Sequence, residues 1–247
     1  MTGPVTATAE PKRSHDRARP HLGRPDAGVE TEGRLVAAGC RTVAGIDEVG
    51  RGAWAGPLTV GVAVVTGDRL GGFPPGVRDS KLLSSRQRLQ FYEPIARHVL
   101  DHAIGHASAV ECDSLGMVAA QRLAADRALA ALDVEPDAII VDGPRDFTGL
   151  PGAVTIVGAD RLCAVVAAAS ILAKVTRDRL MVEAAATHPG YGFERNKGYA
   201  SLEHRLAVAR LGMTPIHRLS WSVAAVGEPE AQSAMKAVWA PSGAQRL

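Results

Sequence analysis

Short apolar runs punctuate the middle of the chain at residues 43–49, 58–65, 99–109, 138–141 and 153–157. Runs of this length bounded by Gly, Pro and Asp read as strands. Ala138-Ile139-Ile140-Val141 is apolar at every position, which predicts a central strand buried on both faces. Elsewhere the period is helical. A polar helical stretch follows Ser84 or Ser85, either of which suits its N-cap. Residues 114–132 read as one helix, with Leu115, Val118, Ala125, Leu129 and Leu132 on a stripe that Arg122 interrupts. Residues 163–186 predict a long helix whose first half, 164–173, is apolar nearly all round and therefore buried. A further helix covers 201–211. Residues 1–38 carry no hydrophobic period and read as a mobile basic tail, leaving a domain at 39–226 and a second tail at 227–247.

Composition and charge narrow the class only a little. Apolar and charged fractions are those of a globular protein, and a net charge of +2 does not by itself indicate a nucleic-acid partner. Lys12, Arg13, Arg17, Arg19 and Arg24 of the tail suit weak, sequence-independent contact with nucleic acid, though a solvated tail is the simpler reading. Cys40, Cys112 and Cys163 are scattered and form neither a disulfide framework nor a zinc pattern, which points to a reducing compartment. No run is long and apolar enough for a membrane span and no signal peptide is evident, so a cytoplasmic chain without a membrane partner is expected.

The candidate chemistry centres on Gly45-Ile46-Asp47-Glu48-Val49-Gly50-Arg51-Gly52. Two adjacent carboxylates at a strand end repel each other unless a cation sits there, and a divalent metal removes that cost. The following Gly50-Arg51-Gly52 turn offers backbone N–H groups and a guanidinium to a phosphate-bearing substrate. It is not a dinucleotide fingerprint: the glycine spacing is wrong and the turn leads into a strand. Alternation along a strand would put Asp47 and Glu48 on opposite faces, so sharing one metal requires the strand to end or bend there. Asp142 follows the buried strand at 138–141 and repeats the logic of Asp47, although an Asp also starts turns. Asp160 lies just before the long helix, as a further ligand or as a partner of the helix dipole. Lys81 is equally a phosphate contact and an ordinary surface lysine. Ser170, Lys174 and Arg177 share one helix face, a polar strip on an apolar helix. Tyr199, after Lys197-Gly198, suits stacking on a sugar or base, or packing in a loop. His98, His102 and His106 recur every four residues, but on a strand they stand about 13 Å apart and cannot share a metal.

Together these motifs resemble the type 2 ribonucleases H over residues 43–221. The ordered set is Gly45–Gly52, Ala55-Gly56-Pro57, Asp79-Ser80-Lys81, Val141-Asp142-Gly143, Gly158-Ala159-Asp160, residues 167–178, and Tyr191-Gly192-Phe193 through Lys197-Gly198-Tyr199. The resemblance implies an α/β fold of the ribonuclease H type, a mixed β-sheet flanked by helices with a helical C-terminal part. It implies Asp47, Glu48, Asp142 and Asp160 as catalytic carboxylates and ligands of Mn²⁺ or Mg²⁺. It makes Gly50, Arg51 and Gly52 the reader of the ribose 2′-hydroxyl and Tyr199 the stacking partner of the neighbouring deoxyribose. Lys81, Ser170, Lys174 and Arg177 are the remaining expected substrate contacts. The implied activity is two-metal-ion hydrolysis of the RNA strand of RNA–DNA hybrids, and cutting 5′ to single ribonucleotides in duplex DNA, leaving 3′-hydroxyl and 5′-phosphate ends, by a monomer acting in replication and repair. The chain departs from the family pattern at Ala53 and Trp54, at Arg161, Leu162 and Cys163, and at Asn196. Two other classes share part of this pattern: a DNA junction-cutting nuclease would keep the acids without a 2′-hydroxyl reader, and a non-catalytic binding module would usually have lost one of the acids.

Overall fold

The computed structural model describes residues 26–222. Helix α1 (Glu30–Ala37) precedes the antiparallel pair β1 (Thr42–Val49) and β2 (Leu58–Thr66). Helix α2 (Ser85–His98) leads into β3 (Asp101–Ala107). Helices α3 (Ala109–Leu115) and α4 (Met117–Ala130) carry the chain to β4 (Ala138–Asp142) and β5 (Val154–Ile156). The short α5 (Ala159–Leu162) and long α6 (Ala164–Thr187) follow, then α7 (Phe193–Asn196), α8 (Leu202–Leu211) and α9 (Leu219–Ser222). The strands form one mixed sheet in the order β3-β2-β1-β4-β5, with β1, β4 and β5 parallel. Helices cover both faces, as the α/β expectation required.

Each face has its own core. On one, α6 lies on β1 and β2; on the other, α4 lies on β2 and β3. Both helices sit unusually close because the sheet offers glycine where they cross. A Cβ on Gly45 would come within 2.5 Å of the Val165 backbone, and one on Gly61 within 2.6 Å of the Ala169 carbonyl oxygen. The buried alanines of α6, Ala164 and Ala167 to Ala169, complete this fit from the helix side. A third, smaller core gathers Ala55, Met181, Tyr191, Phe193, Ala207 and Val208, and ties the helical C-terminal part to the segment between β1 and β2.

Several sequence expectations need correction. The last part of the expected tail is helix α1, since Glu32 is fully buried and its carboxylate accepts the Val165 N–H at 3.0 Å. It satisfies an otherwise orphan donor at the start of α6, which is why this segment docks. Residues 1–25 and 223–247, with the rest of both expected tails, lie outside the described residues. The helix expected at 114–132 is two helices that meet at Gly116, whose φ of +76° neither helix tolerates. Its expected apolar stripe holds only in part: Ala125 is buried and Leu129 and Leu132 pack on the core, but Leu115 and Val118 are exposed, and Ala120, Ala124 and Ala128 complete the face toward the sheet. Small residues win there because the Ala124 backbone reaches the space that a side chain at Gly105 would fill. Arg122 points away from that face, beside Asp126 and over Gly149. His98 ends α2 rather than joining a strand, while His102 and His106 stand on β3. Ser84 is the N-cap of α2, in a reciprocal capping box with Gln87.

The seat of α6 is testable. Gly45→Ala is expected to destabilise the protein by about 1–3 kcal/mol through overpacking against helix backbone that cannot move aside alone. Urea unfolding of the variant beside the parent measures this, and an unchanged midpoint would show that α6 has room to spare.

Candidate active site

Strands β1 and β4 run parallel, with Ile46 beside Val141. The next residues are Asp47 and Asp142, so the two acids stand side by side just past the last β1–β4 pair. Strand β1 neither ends nor bends at Asp47; it stays paired with β2 through Val49. Its pairing with β4 stops at Ile46, and both Asp47 and Glu48 lie beyond it. Asp47 falls on the α6 side, like Gly45, and Glu48 on the other, as strand alternation requires. Glu48 still feels the Asp142 charge.

Asp47 is 2% exposed and Asp160 3%. Asp47 accepts the Glu48 N–H at 2.7 Å, and Ser170 of α6 lies close enough to favour its charged form. Asp142 accepts the Ala159 N–H at 2.7 Å, which joins the end of β4 to the start of α5. Gly158, at φ +73°, makes the turn that carries Asp160 back toward Asp142. Lys81 Nζ stands 3.8 Å from Asp160. Asp79, fully buried, accepts the Lys81 N–H at 2.8 Å and the Arg161 Nε–H at 3.2 Å. The Ser80 hydroxyl meets that of Ser170 at 2.8 Å. The Asp79-Ser80-Lys81 turn, the start of α5 and the middle of α6 therefore converge on the two strand ends.

The electrostatics are those of crowded acids. Burial, followed by the charges of Glu48 and Asp142, pushes Asp47 up to about 8. Burial, then Asp79 and Asp142, pushes Asp160 up to about 6. Burial raises Glu48 as well, Asp142 adding to it and Arg51 opposing. Lys81 moves upward: burial opposes, but Asp47, Asp160, Asp79 and Asp142 together outweigh it. Asp47, Glu48 and Asp160, each resisting its own charge, make a set of oxygen donors that suits a hard divalent cation. Among the described residues, no three His, Cys, Asp or Glu side chains close into a ready cage.

Residues 44–224 match the sequence profile described as Ribonuclease HII. The chain belongs to the ribonuclease HII family. It is 51% identical over 185 residues to the Ribonuclease HII of Streptomyces avermitilis, a match covering 74% of this chain and 78% of that one. The crystal structure of the ribonuclease H2 from Pyrococcus horikoshii superposes with a TM-score of 0.64 at 29% identity, covering 79% of this chain and 99% of that one. The structure of Bst-RNase HIII in complex with Mn²⁺ shares the fold, with a TM-score of 0.57 at 18% identity over 80% of this chain and 70% of that one. As a ribonuclease HII, the protein is a ribonuclease H, a hydrolase that cuts phosphodiester bonds.

The other expected site residues divide. Arg51 and Gly52 are exposed beside Glu48, while Gly50 is buried. Lys81 is 70% exposed and Tyr199 half-buried. Lys174 is mostly buried, paired with Asp178 at 2.8 Å and 5.5 Å from the Tyr199 ring centre. Ser170 and Arg177 are not available as direct substrate contacts, because both are buried and bonded internally. They do share one face of α6, but that face looks into the protein. Asp79 and Arg161 were named in the sequence without a role at the site, although each lies close to an expected site residue, Lys81 and Asp160; Arg218 was passed over and had no such signal.

The pKa shifts set a pH dependence. The ordinary value of Asp47 is 3.8, and the folded value is about 8. Between these the folded protein binds a proton that the unfolded chain has lost. The stability from this group is full below about pH 4 and falls away as pH rises toward about 8, at up to about 1.4 kcal/mol per pH unit. The metal-free parent is therefore expected to lose melting temperature from pH 5 to 8, Asp47→Asn to lose less, and Mn²⁺ or Mg²⁺ to raise the parent most at the upper end. Melting curves in chelator and in metal measure this; parallel pH curves for parent and variant would contradict it.

Proposed function

We propose that this protein hydrolyses the RNA strand of RNA–DNA hybrids and cuts 5′ to single ribonucleotides in duplex DNA. The observation that carries the reading is the gathering of Asp47, Glu48, Asp142 and Asp160 at one sheet end, directly beside the exposed Arg51-Gly52 of the glycine-rich turn. The four acids would hold two divalent ions, Mn²⁺ or Mg²⁺, which would activate water and stabilise the charge leaving on the 3′-oxygen. Bst-RNase HIII, of the same fold, has been solved with Mn²⁺, which supports the choice of ion.

The chain's own residues hold and orient. Ser170 fixes Asp47 from α6, and the Ala159 N–H fixes Asp142. Lys81, exposed at the edge of the acids, is placed to meet a phosphate. The Gly50–Gly52 turn presents backbone where a ribose would lie, and the 2′-hydroxyl is the group by which RNA can be told from DNA there. Tyr199 offers its ring to the adjoining deoxyribose, with Lys174 behind it.

The test is strand cleavage of a labelled DNA duplex with one ribonucleotide, beside the all-DNA duplex, in Mn²⁺, Mg²⁺ or chelator. Metal-dependent cutting confined to the 5′ side of the ribonucleotide is expected, with 3′-hydroxyl and 5′-phosphate ends. Asp142→Asn is expected to lower it by about 100-fold or more, beyond the usual cost of a lost partner of a metal ligand. Cutting of the all-DNA duplex would favour a junction nuclease. Binding without cutting would favour a non-catalytic module. Replacing Arg51 and Gly52 is expected to reduce selectivity for the ribonucleotide while metal affinity persists, and unchanged selectivity would remove that turn from recognition.

A further inference from the structure

Two arginines, Arg177 of α6 and Arg218 just before α9, are fully buried. Arg177 donates from Nε to the Pro57 carbonyl at 2.8 Å, from Nη1 to Lys197 at 2.9 Å and from Nη2 to Ala55 at 3.1 Å. Its guanidinium also lies 5.4 Å from the centre of the Tyr199 ring. Arg218 donates from Nη1 to the Arg51 carbonyl at 3.0 Å, and from Nε and Nη2 to Gly56 at 3.2 and 3.0 Å. The acceptors are thus the backbone of the Gly50–Gly52 turn, of the 55–57 segment behind it, and of the loop that carries Tyr199. Burying a guanidinium is costly, and its rigid fork is suited to holding several acceptors at fixed spacing.

The surrounding backbone is built around these two groups. A Cβ on Gly50 would run into the Arg177 guanidinium, and one on Gly198 into the Ala55 carbonyl. Lys197, an Arg177 acceptor, is the only non-glycine residue among those described with positive φ, at +52°. That conformation is strained and persists only where its surroundings hold it. Trp54 and Ala55 both donate to the Gly198 carbonyl, and the Arg218 N–H donates to Trp54 at 2.7 Å. The Tyr199 carbonyl accepts from His204 Nδ1 at 2.9 Å. Thr214 N–H donates to His217 Nδ1, so the His217 Nε2–H is left to donate to His204 Nε2, which leaves His204 Nδ1 protonated for that bond.

We propose that Arg177 and Arg218 are positioning residues for substrate discrimination: they fix the Gly50–Gly52 turn and Tyr199 at one spacing, so that a ribose and the deoxyribose beside it are read together. This rests on the ribonucleotide-cutting activity proposed above. A group that only filled carbonyl acceptors would support every substrate equally. A group that sets the spacing matters most where both readers are engaged, at an RNA–DNA junction.

The experiment compares Arg177→Lys and Arg218→Lys with the parent in Mn²⁺. It reads kcat and KM on two substrates, a duplex with one ribonucleotide and a hybrid with an all-RNA strand, together with Mn²⁺ affinity by calorimetry without substrate. The expected result is a fall of about tenfold or more in the ratio of kcat/KM on the first substrate to that on the second, with Mn²⁺ affinity unchanged. Equal losses on both substrates, or no loss, would overturn the proposal. Gly198→Ala keeps both arginines but forces the Tyr199 loop off Ala55, so it must shift the ratio the same way; an unchanged ratio there overturns the proposal even if the lysine variants fail to fold. Should the parent itself not favour a ribonucleotide over DNA, it is the proposed function that fails.

Discussion

Backbone contact between α6 and the first two strands is the constraint on which the rest depends. Gly45 and Gly61 remove the side chains that would hold the helix off, and the alanines of its first half do the same from above. At that separation Ser170 comes within reach of Asp47, two residues beyond Gly45 on the same strand face. Two turns further on, Arg177 meets the segment that follows β1. A helix held one side-chain layer further out would lose both contacts. The glycines of this sheet therefore shape the candidate site although they stand beneath the helix rather than among the acids.

That closeness has an electrostatic consequence. Asp47 and Asp160 are buried near further acids, and burial is the larger part of their upward shifts. The fold tolerates this by spreading cations and donors around the rim. Lys81 faces Asp160, Ser170 favours the charged form of Asp47, and Arg161 bonds the fully buried Asp79. Asp79 is pulled down by the Lys81 N–H and by Arg161 despite its own burial, and so remains a fixed negative partner for the loop. The result is a site held together in the absence of metal but short of positive charge, which is the condition under which a divalent cation gains most.

Much of this was legible in the sequence, for identifiable reasons. The strands at 43–49, 58–65 and 138–141 are apolar runs with hard stops, and each ends within a residue or two of its expected bounds. The four acids were legible because two of them close apolar runs and the other two stand next to a first acid or a helix start. Helix α1 was not, because what orders it is one buried carboxylate finding a helix N-terminus 133 residues away. The break at Gly116 was hidden because a lone glycine in a helical pattern is usually tolerated. The packed face of α4 was read correctly at Ala125, Leu129 and Leu132 and misread at Leu115 and Val118, because large apolar residues advertise burial more loudly than alanine does, and opposite Ala124 the partner strand carries Gly105. Arg177 was placed on the right face but given the wrong partner, since periodicity locates a side chain around a helix and says nothing of what stands opposite.

The departures from the family pattern fit the same division of labour. Ala53 and Trp54 are buried, and Trp54 contributes its backbone to both Gly198 and Arg218. Asn196 donates from Nδ2 to the Tyr191 carbonyl and accepts the Gly198 N–H on Oδ1, holding the Tyr199 loop from both sides of one amide. Arg161 bonds Asp79 at 3.2 Å, and Asp79 lies beside the four candidate acids rather than among them. The Trp54 backbone, the Asn196 amide and the Arg161 guanidinium thus act on the loops around the acids. On the reading proposed above, selectivity is set by the spacing of those loops, and that spacing by residues that never meet the nucleic acid.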